Sequence, residues 1–222
     1  RTIKSWSACG TKGDHMIKFG RFLGIDVRLH WSLGILMVLV AVSMHARFGI
    51  PGAILGAVVL PASVLAHEYG HALTARAYGI ETKDILPMGL GGVASLYSVG
   101  KKWHAAFFID LAGRAVSVVL ALFFGALGLL IGSEVTVSLG VMNLVLAVFN
   151  MLPAYPTDGG RVLHALAWKF VGEVRATLWA SNVAIVVAGG LVLLGIYIVD
   201  VFMILIAAYI IMTAIQNRKD SK

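Results

Sequence analysis

The chain has 222 residues, of which 59% are hydrophobic and 13% charged, with a mean hydropathy of +0.89. A soluble domain carries about 25% charged residues, so this composition excludes an ordinary water-soluble globule and indicates one compact multi-span membrane bundle. The net charge of +7 does not indicate nucleic-acid binding, because the Lys and Arg are spread between apolar runs; an anionic cytoplasmic lipid surface suits them better.

Cys9 is the single cysteine, which excludes an intrachain disulfide and a thiolate metal site built by one chain. It lies in Arg1 to His15, a polar stretch without an apolar core that ends just before Met16. That stretch reads as a leader or appended segment, and residues 16–222 read as a single transmembrane domain. Met16 to Arg28 is short, basic and mixed, compatible with an interfacial strand or turn. A first apolar run covers about Leu29 to Met44, and His45, Arg47 and the sequence Gly49-Ile50-Pro51-Gly52 break it. The second run, about Ala53 to Tyr78, is long enough to cross a hydrocarbon core of about 30 Å. Pro61 inside it predicts a kink.

From Gly79 to Lys102 the helical period fails, and prolines and glycines alternate with short β-prone pieces. The pattern predicts extended strands or a re-entrant loop, whose free edge could pair with an unwound peptide. Further apolar runs cover about 105–131, 135–151, 177–198 and 201–215, with an amphipathic stretch at 161–175 and a tight hairpin around Asp200. Asp110 and Arg114, at i and i+4, are spaced to form an ion pair. The expected fold is therefore an all-α polytopic membrane protein of about six transmembrane helices, with a short β-like or re-entrant segment between spans two and three. The short connections holding Lys18, Arg21 and Arg28, then Arg76, Lys83, Lys101 and Lys102, then Arg161, Lys169 and Arg175, and the tail, are basic. Those on the other side hold only Arg47, so both termini are expected in the cytoplasm.

Within the second run, Ala66-His67-Glu68-Tyr69-Gly70-His71 matches H-E-x-x-H. On a helix His67 and His71 share a face about 6 Å apart, which suits two imidazoles on one Zn²⁺, and the motif places Glu68 as the general base acting on water. An unused Glu at membrane depth is costly, which weighs against two histidines merely satisfied by neighbours. A catalytic zinc takes three protein ligands, and the candidates for the third are His30, His45, His104, His164, Asp110, Asp158 and Asp200. Asp158 stands out because it follows a proline-broken helix end on the basic side, although Asp-Gly is also an ordinary turn.

HEYGH (67–71), PMGLGGVASL (87–96) and NMLPAYPTDGGR (150–161), in this order and spacing, resemble the site-2 protease family of intramembrane zinc metalloproteases, in a short form without PDZ or CBS domains. The resemblance covers nearly all of Met16 to Gln216. It implies His67, His71 and Asp158 as ligands of one zinc, Glu68 as general base, and Asn150 as a contact for the substrate backbone. It also implies a metal within the membrane, reached from the cytoplasmic side. Where many members carry G-P-x-x-N in the third span, this chain has Gly113-Arg114-Ala115-Val116-Ser117, which puts the contact of that Asn in doubt. Asn150 or the backbone amides of Gly91 and Gly92 could hold the oxyanion of peptide hydrolysis. The expected activity is cleavage of transmembrane segments of substrate proteins near the cytoplasmic side. The rival is a metal transporter or metal-dependent sensor using the same His and Asp groups, and a further rival is a silent scaffold.

Overall fold

A computed structural model of the chain describes residues 16–86, 93–96, 102–154 and 157–221. The segment 1–15, expected to be a leader or appended, lies outside them. The described residues form β1 (Met16–Phe22), β2 (Ile25–His30), α1 (Trp31–Ala77), β3 (Thr82–Leu86), β4 (Val93–Leu96), α2 (Trp103–Ile131), α3 (Glu134–Phe149), α4 (Asp158–Val171), α5 (Glu173–Tyr197) and α6 (Val201–Asp220). They divide into two compact units, the described residues up to 96 with 112–147, and residues 102–111 with the described residues from 148 onward.

In the first unit the basic segment after Met16 is a β-hairpin: β1 and β2 pair antiparallel around the turn Leu23-Gly24. β2 pairs parallel with β3 through Asp26 opposite Asp84 and Val27 opposite Ile85, and β4 closes the sheet in the order β1-β2-β3-β4. A parallel pair needs a long crossover, and here α1 supplies it. The loss of helical period after Gly79 thus corresponds to two strands. Ile25 of β2 and Ile85 of β3 bury against Ala72 of α1, so one face of that helix is committed to the sheet.

α1 runs 47 residues, but its backbone leaves the helical region at Gly49 (φ 66°, ψ −159°), inside the break expected between the first two apolar runs. At Pro61, where the sequence predicts a kink, the dihedrals stay helical. The difference has a simple cause, since a proline costs one hydrogen bond but carries a helical φ, whereas the conformation at Gly49 requires a residue without Cβ. Val40 and Met44 of α1 pack on Leu139 of α3.

In the second unit the buried positions of α5 include Ala176, Ala180, Ala184 and Ala188, one every four residues, while Val186 and Leu193 point outward at 75% and 71% exposure. Ala184 and Ala188 pack with Ala207, Ile210 and Ala214 of α6. Small residues inside and large apolar ones outside are the pattern of helices packing in lipid, where close backbone approach replaces the hydrophobic drive. The expected tight hairpin between the last two runs is present. Asp200 caps α6, its Oδ1 accepting from the Met203 amide at 3.0 Å.

Three helices, α1, α2 and α5, are long and apolar enough to cross a membrane, and α3 is apolar but only 16 residues long. With Leu129 and Leu130 of α2 also turned outward, the chain is a membrane protein, mostly helical, with one small sheet.

Candidate metal centre

His67, Glu68 and His71 all lie in α1, and all three are buried. At 100° per residue, the two histidines share a face, Ala72 and Tyr69 face the sheet, and Glu68 falls between the two directions. The imidazoles meet edge to face with ring centroids 4.8 Å apart, and their Nε2 atoms are separated by 3.1 Å. Zinc binds imidazole nitrogen at about 2.0–2.1 Å, so two donors on a tetrahedron stand about 3.3 Å apart. The Nε2 pair therefore spans close to one tetrahedral edge.

Helix α2 forms the opposite wall of this unit with two small residues one turn apart. A Cβ on Gly113 would overlap His71 Nε2 and lie 2.8 Å from His67 Nε2. It would fill the space that both nitrogens face, so the missing side chain leaves room for an ion there. Gly70 of α1 answers it: a Cβ on Gly70 would come to 3.0 Å from the Ala112 carbonyl and 3.1 Å from Gly113 Cα. Four residues beyond Gly113, the Ser117 hydroxyl lies 2.9 Å from His67 Nδ1. The Ser that stands in place of the family's Asn thus makes a polar contact of its own, with His67.

Asp158 belongs to the second unit, where it is the first residue of α4 and is buried. The preceding segment is tied by its own backbone. Thr157 Oγ1 is within donating distance of the Leu152 and Ala154 carbonyls at 2.6 and 2.8 Å, and the Gly159 amide donates to the Asn150 carbonyl at 2.7 Å. A Cβ on Gly159 would overlap the carbonyl oxygens of Met151 and Leu152, so the residue after Asp158 must be glycine for this turn to close. The Asp-Gly-Gly sequence is therefore a packing requirement as well as a turn signal. A carboxylate in the first turn of a helix also complements the helix dipole.

The other candidate ligands are occupied elsewhere or lie open. His30 caps α1, its Nδ1 accepting from the Ser32 amide at 3.3 Å and facing the Ser32 hydroxyl at 2.8 Å. His45 is exposed. His104 packs edge to face on Trp103, and His164 Nε2 lies 3.1 Å from Thr177 Oγ1. Asp200 caps α6. Asp110, which the sequence pairs with Arg114, has its Oδ1 3.9 Å from Arg161 Nη1 of α4. Gly91 and Gly92 lie outside the described residues, and Asn150 is half-buried. Sequence reasoning missed the roles of Gly113, Ser117 and Gly159. Gly113 and Ser117 stand among other small residues, Ala112 and Ala115, so their size alone does not single them out in the sequence.

The first unit thus offers two buried imidazoles, His67 and His71, and the second a buried carboxylate, Asp158, and nitrogen and oxygen donors of these kinds suit zinc. Apolar helices long enough to cross a membrane, one of them carrying a buried H-E-x-x-H, are the marks of the membrane metallopeptidase class. The model of peptidase family M50 matches residues 55–137 and 132–196, and the chain belongs to that family, the site-2 proteases. It is 36% identical over 199 residues to Rip3 of Mycobacterium tuberculosis, provisionally named a zinc metalloprotease, covering 81% of this chain and 51% of that one. The zinc metalloprotease MJ0392 of Methanocaldococcus jannaschii is 28% identical over 211 residues, 93% of this chain and 61% of that one. Among solved structures, the site-2 protease from Methanocaldococcus jannaschii superposes with a TM-score of 0.68 at 29% identity, covering 92% of this chain and 95% of that one. The chain spans about half to three fifths of the length of the curated relatives it matches.

Proposed function

We propose that this chain is the catalytic unit of an intramembrane zinc endopeptidase that cuts transmembrane segments of substrate proteins near the cytoplasmic side. The observation that carries this reading is the buried His67 and His71 pair, with Nε2 atoms facing a space kept open by Gly113 and with Glu68 beside it on the same helix. His67, His71 and Asp158 are the proposed ligands of one zinc. Bound there, zinc would supply a Lewis acid that polarises the peptide carbonyl and makes water nucleophilic near neutral pH.

The remaining work falls to the chain itself. Glu68 takes the proton of the attacking water on a carboxylate oxygen and returns it to the leaving amine, acting first as base and then as acid. Asn150, or the backbone amides of Gly91 and Gly92, holds the substrate backbone and the developing oxyanion. A substrate helix has its carbonyls bonded internally, so it must unwind before cleavage, and strand pairing with the edge strand β4 would hold the unwound peptide. Six spans, a re-entrant segment between the second and third, and both termini in the cytoplasm complete the proposed topology, with the His67 helix descending towards the cytoplasm. The partners are transmembrane proteins and the bilayer.

The deciding experiment measures metal content and cleavage of a library of membrane-span reporters by the full chain and by Glu68→Gln. Zinc in both, with cleavage in the parent alone, supports the reading. Equal cleavage by Glu68→Gln overturns it, and metal flux in vesicles without cleavage moves the chain to the transport class.

A further inference from the structure

We propose that Ser117 is a positioning residue of the metal centre, whose hydroxyl oxygen accepts a hydrogen bond from His67 Nδ1–H and so holds that imidazole in the tautomer that offers Nε2 to the ion. The inference rests on the zinc reading above and deepens it. A neutral imidazole carries one N–H, so a ring that binds metal through Nε2 must keep its proton on Nδ1. Buried, that N–H needs an acceptor. Ser117 Oγ is 2.9 Å away and Ser117 is fully buried, at 0% exposure, so the hydroxyl is the acceptor at hand and water does not compete for it.

The ring orientation agrees. With Nδ1 turned to Ser117, Nε2 of His67 points to the space in front of Gly113, where His71 Nε2 also points. Gly113 and Ser117 lie one turn apart on the same face of α2, so a single helix face both clears the space for the ion and fixes the ligand that enters it. Outer partners of metal-bound histidines commonly set ligand affinity in this way, and their loss lowers metal affinity by about 10- to 100-fold. Ser117 does not touch substrate or metal in this scheme and acts only through His67.

The test uses the full chain in detergent and reads zinc affinity by chelator competition, with Co²⁺ absorption as a report on ligand geometry. Ser117→Ala should bind zinc about 10- to 100-fold more weakly and shift the Co²⁺ ligand-field bands. Ser117→Thr and Ser117→Val have the same shape and differ by the hydroxyl, so they decide the matter even where Ser117→Ala folds poorly. The threonine variant should keep parental affinity and the valine variant should lose it. In turnover, kcat should fall with KM unchanged. Parental affinity in both Ser117→Ala and Ser117→Val, or equal loss in Ser117→Thr and Ser117→Val, overturns the role of Ser117. Absence of zinc from the parent chain would instead overturn the metal reading itself.

Discussion

Gly113 of α2 stands so close to His71 of α1 that a single methyl group on it would overlap the imidazole Nε2. In a helix interior alanine is ordinarily favoured over glycine by about 1 kcal/mol, so this position forgoes local stability to leave space in front of the histidines. Gly113→Ala should therefore retain its helix content by circular dichroism while zinc affinity drops at least about tenfold, the scale of a disturbed ligand. Full zinc loading of that variant would mean that the two helices can part without consequence.

Glu68 is the one acid in α1, buried and at the step of the helix between the histidines and the sheet. Glu68→Gln keeps the shape and removes the proton acceptor. Cleavage should slow by about 10²- to 10⁴-fold with bound zinc unchanged, as measured by reporter cleavage alongside elemental analysis.

Asp158 begins α4 with its carboxylate buried, and the turn before it is held by Thr157 and Gly159. Asp158→Ala should bring zinc below one ion per chain after dialysis, with the helix content intact. A full complement of metal would place the third ligand elsewhere. Gly159→Ala should reproduce the loss indirectly, by opening the turn at Met151 and Leu152.

His164 on α4 lies outside the three candidate spans, and burial lowers its pKa from the ordinary 6.5, against a smaller upward effect of a hydrogen bond that the ring donates to the Glu173 backbone carbonyl. The unfolded chain then binds a proton that the folded chain resists, so stability falls as pH drops through 6.5 towards the lower folded value and is unaffected above it. Thermal unfolding in detergent at about pH 7.5 and about pH 5.5 should show a loss at the lower pH that is smaller in His164→Gln. An equal loss in both proteins would remove His164 as the source.

Two helices end in the same motif with different residues. After α1, the Ile80 amide donates to the Ala75 carbonyl and the Gly79 amide to that of Arg76, with Gly79 at φ 73°. After α5, Asp200 donates to Gly195 and Val199 to Ile196, with the β-branched Val199 at φ 57°. Val199 is 84% exposed, so nothing is packed against its side chain that a smaller residue would lose. Val199→Gly should stabilise the α5–α6 hairpin by about 0.5–1 kcal/mol, after glycine's added entropy in the unfolded chain is subtracted. Hydrogen exchange at the end of α5 is the direct measurement.

Much of this was legible in one dimension. Membrane character, the break near Gly49, the strands after Gly79 and the hairpin at Asp200 follow from apolar run length, breaker residues and period, which act within a few residues. The His67–His71 pair was equally local, because helical spacing alone puts the two imidazoles together. At Asp110 helical spacing pointed only to Arg114, and the structure also brings the α4 residue Arg161 to the carboxylate from 51 positions away. Spacing on one helix says who can meet and says nothing of what another helix brings.

The sequence by itself determined that His67 and His71 would stand side by side with Glu68 next to them. The tertiary structure decided what surrounds them: Ser117, 50 residues away, on the outer nitrogen of His67, and Gly113 in front of both inner nitrogens. It also assigned His30 and Asp200 to helix caps and His164 to Thr177. The physical reason is that these contacts depend on how closely two helices approach. That approach is set by Gly70 against Gly113, two residues with no side chain to give a periodic signal.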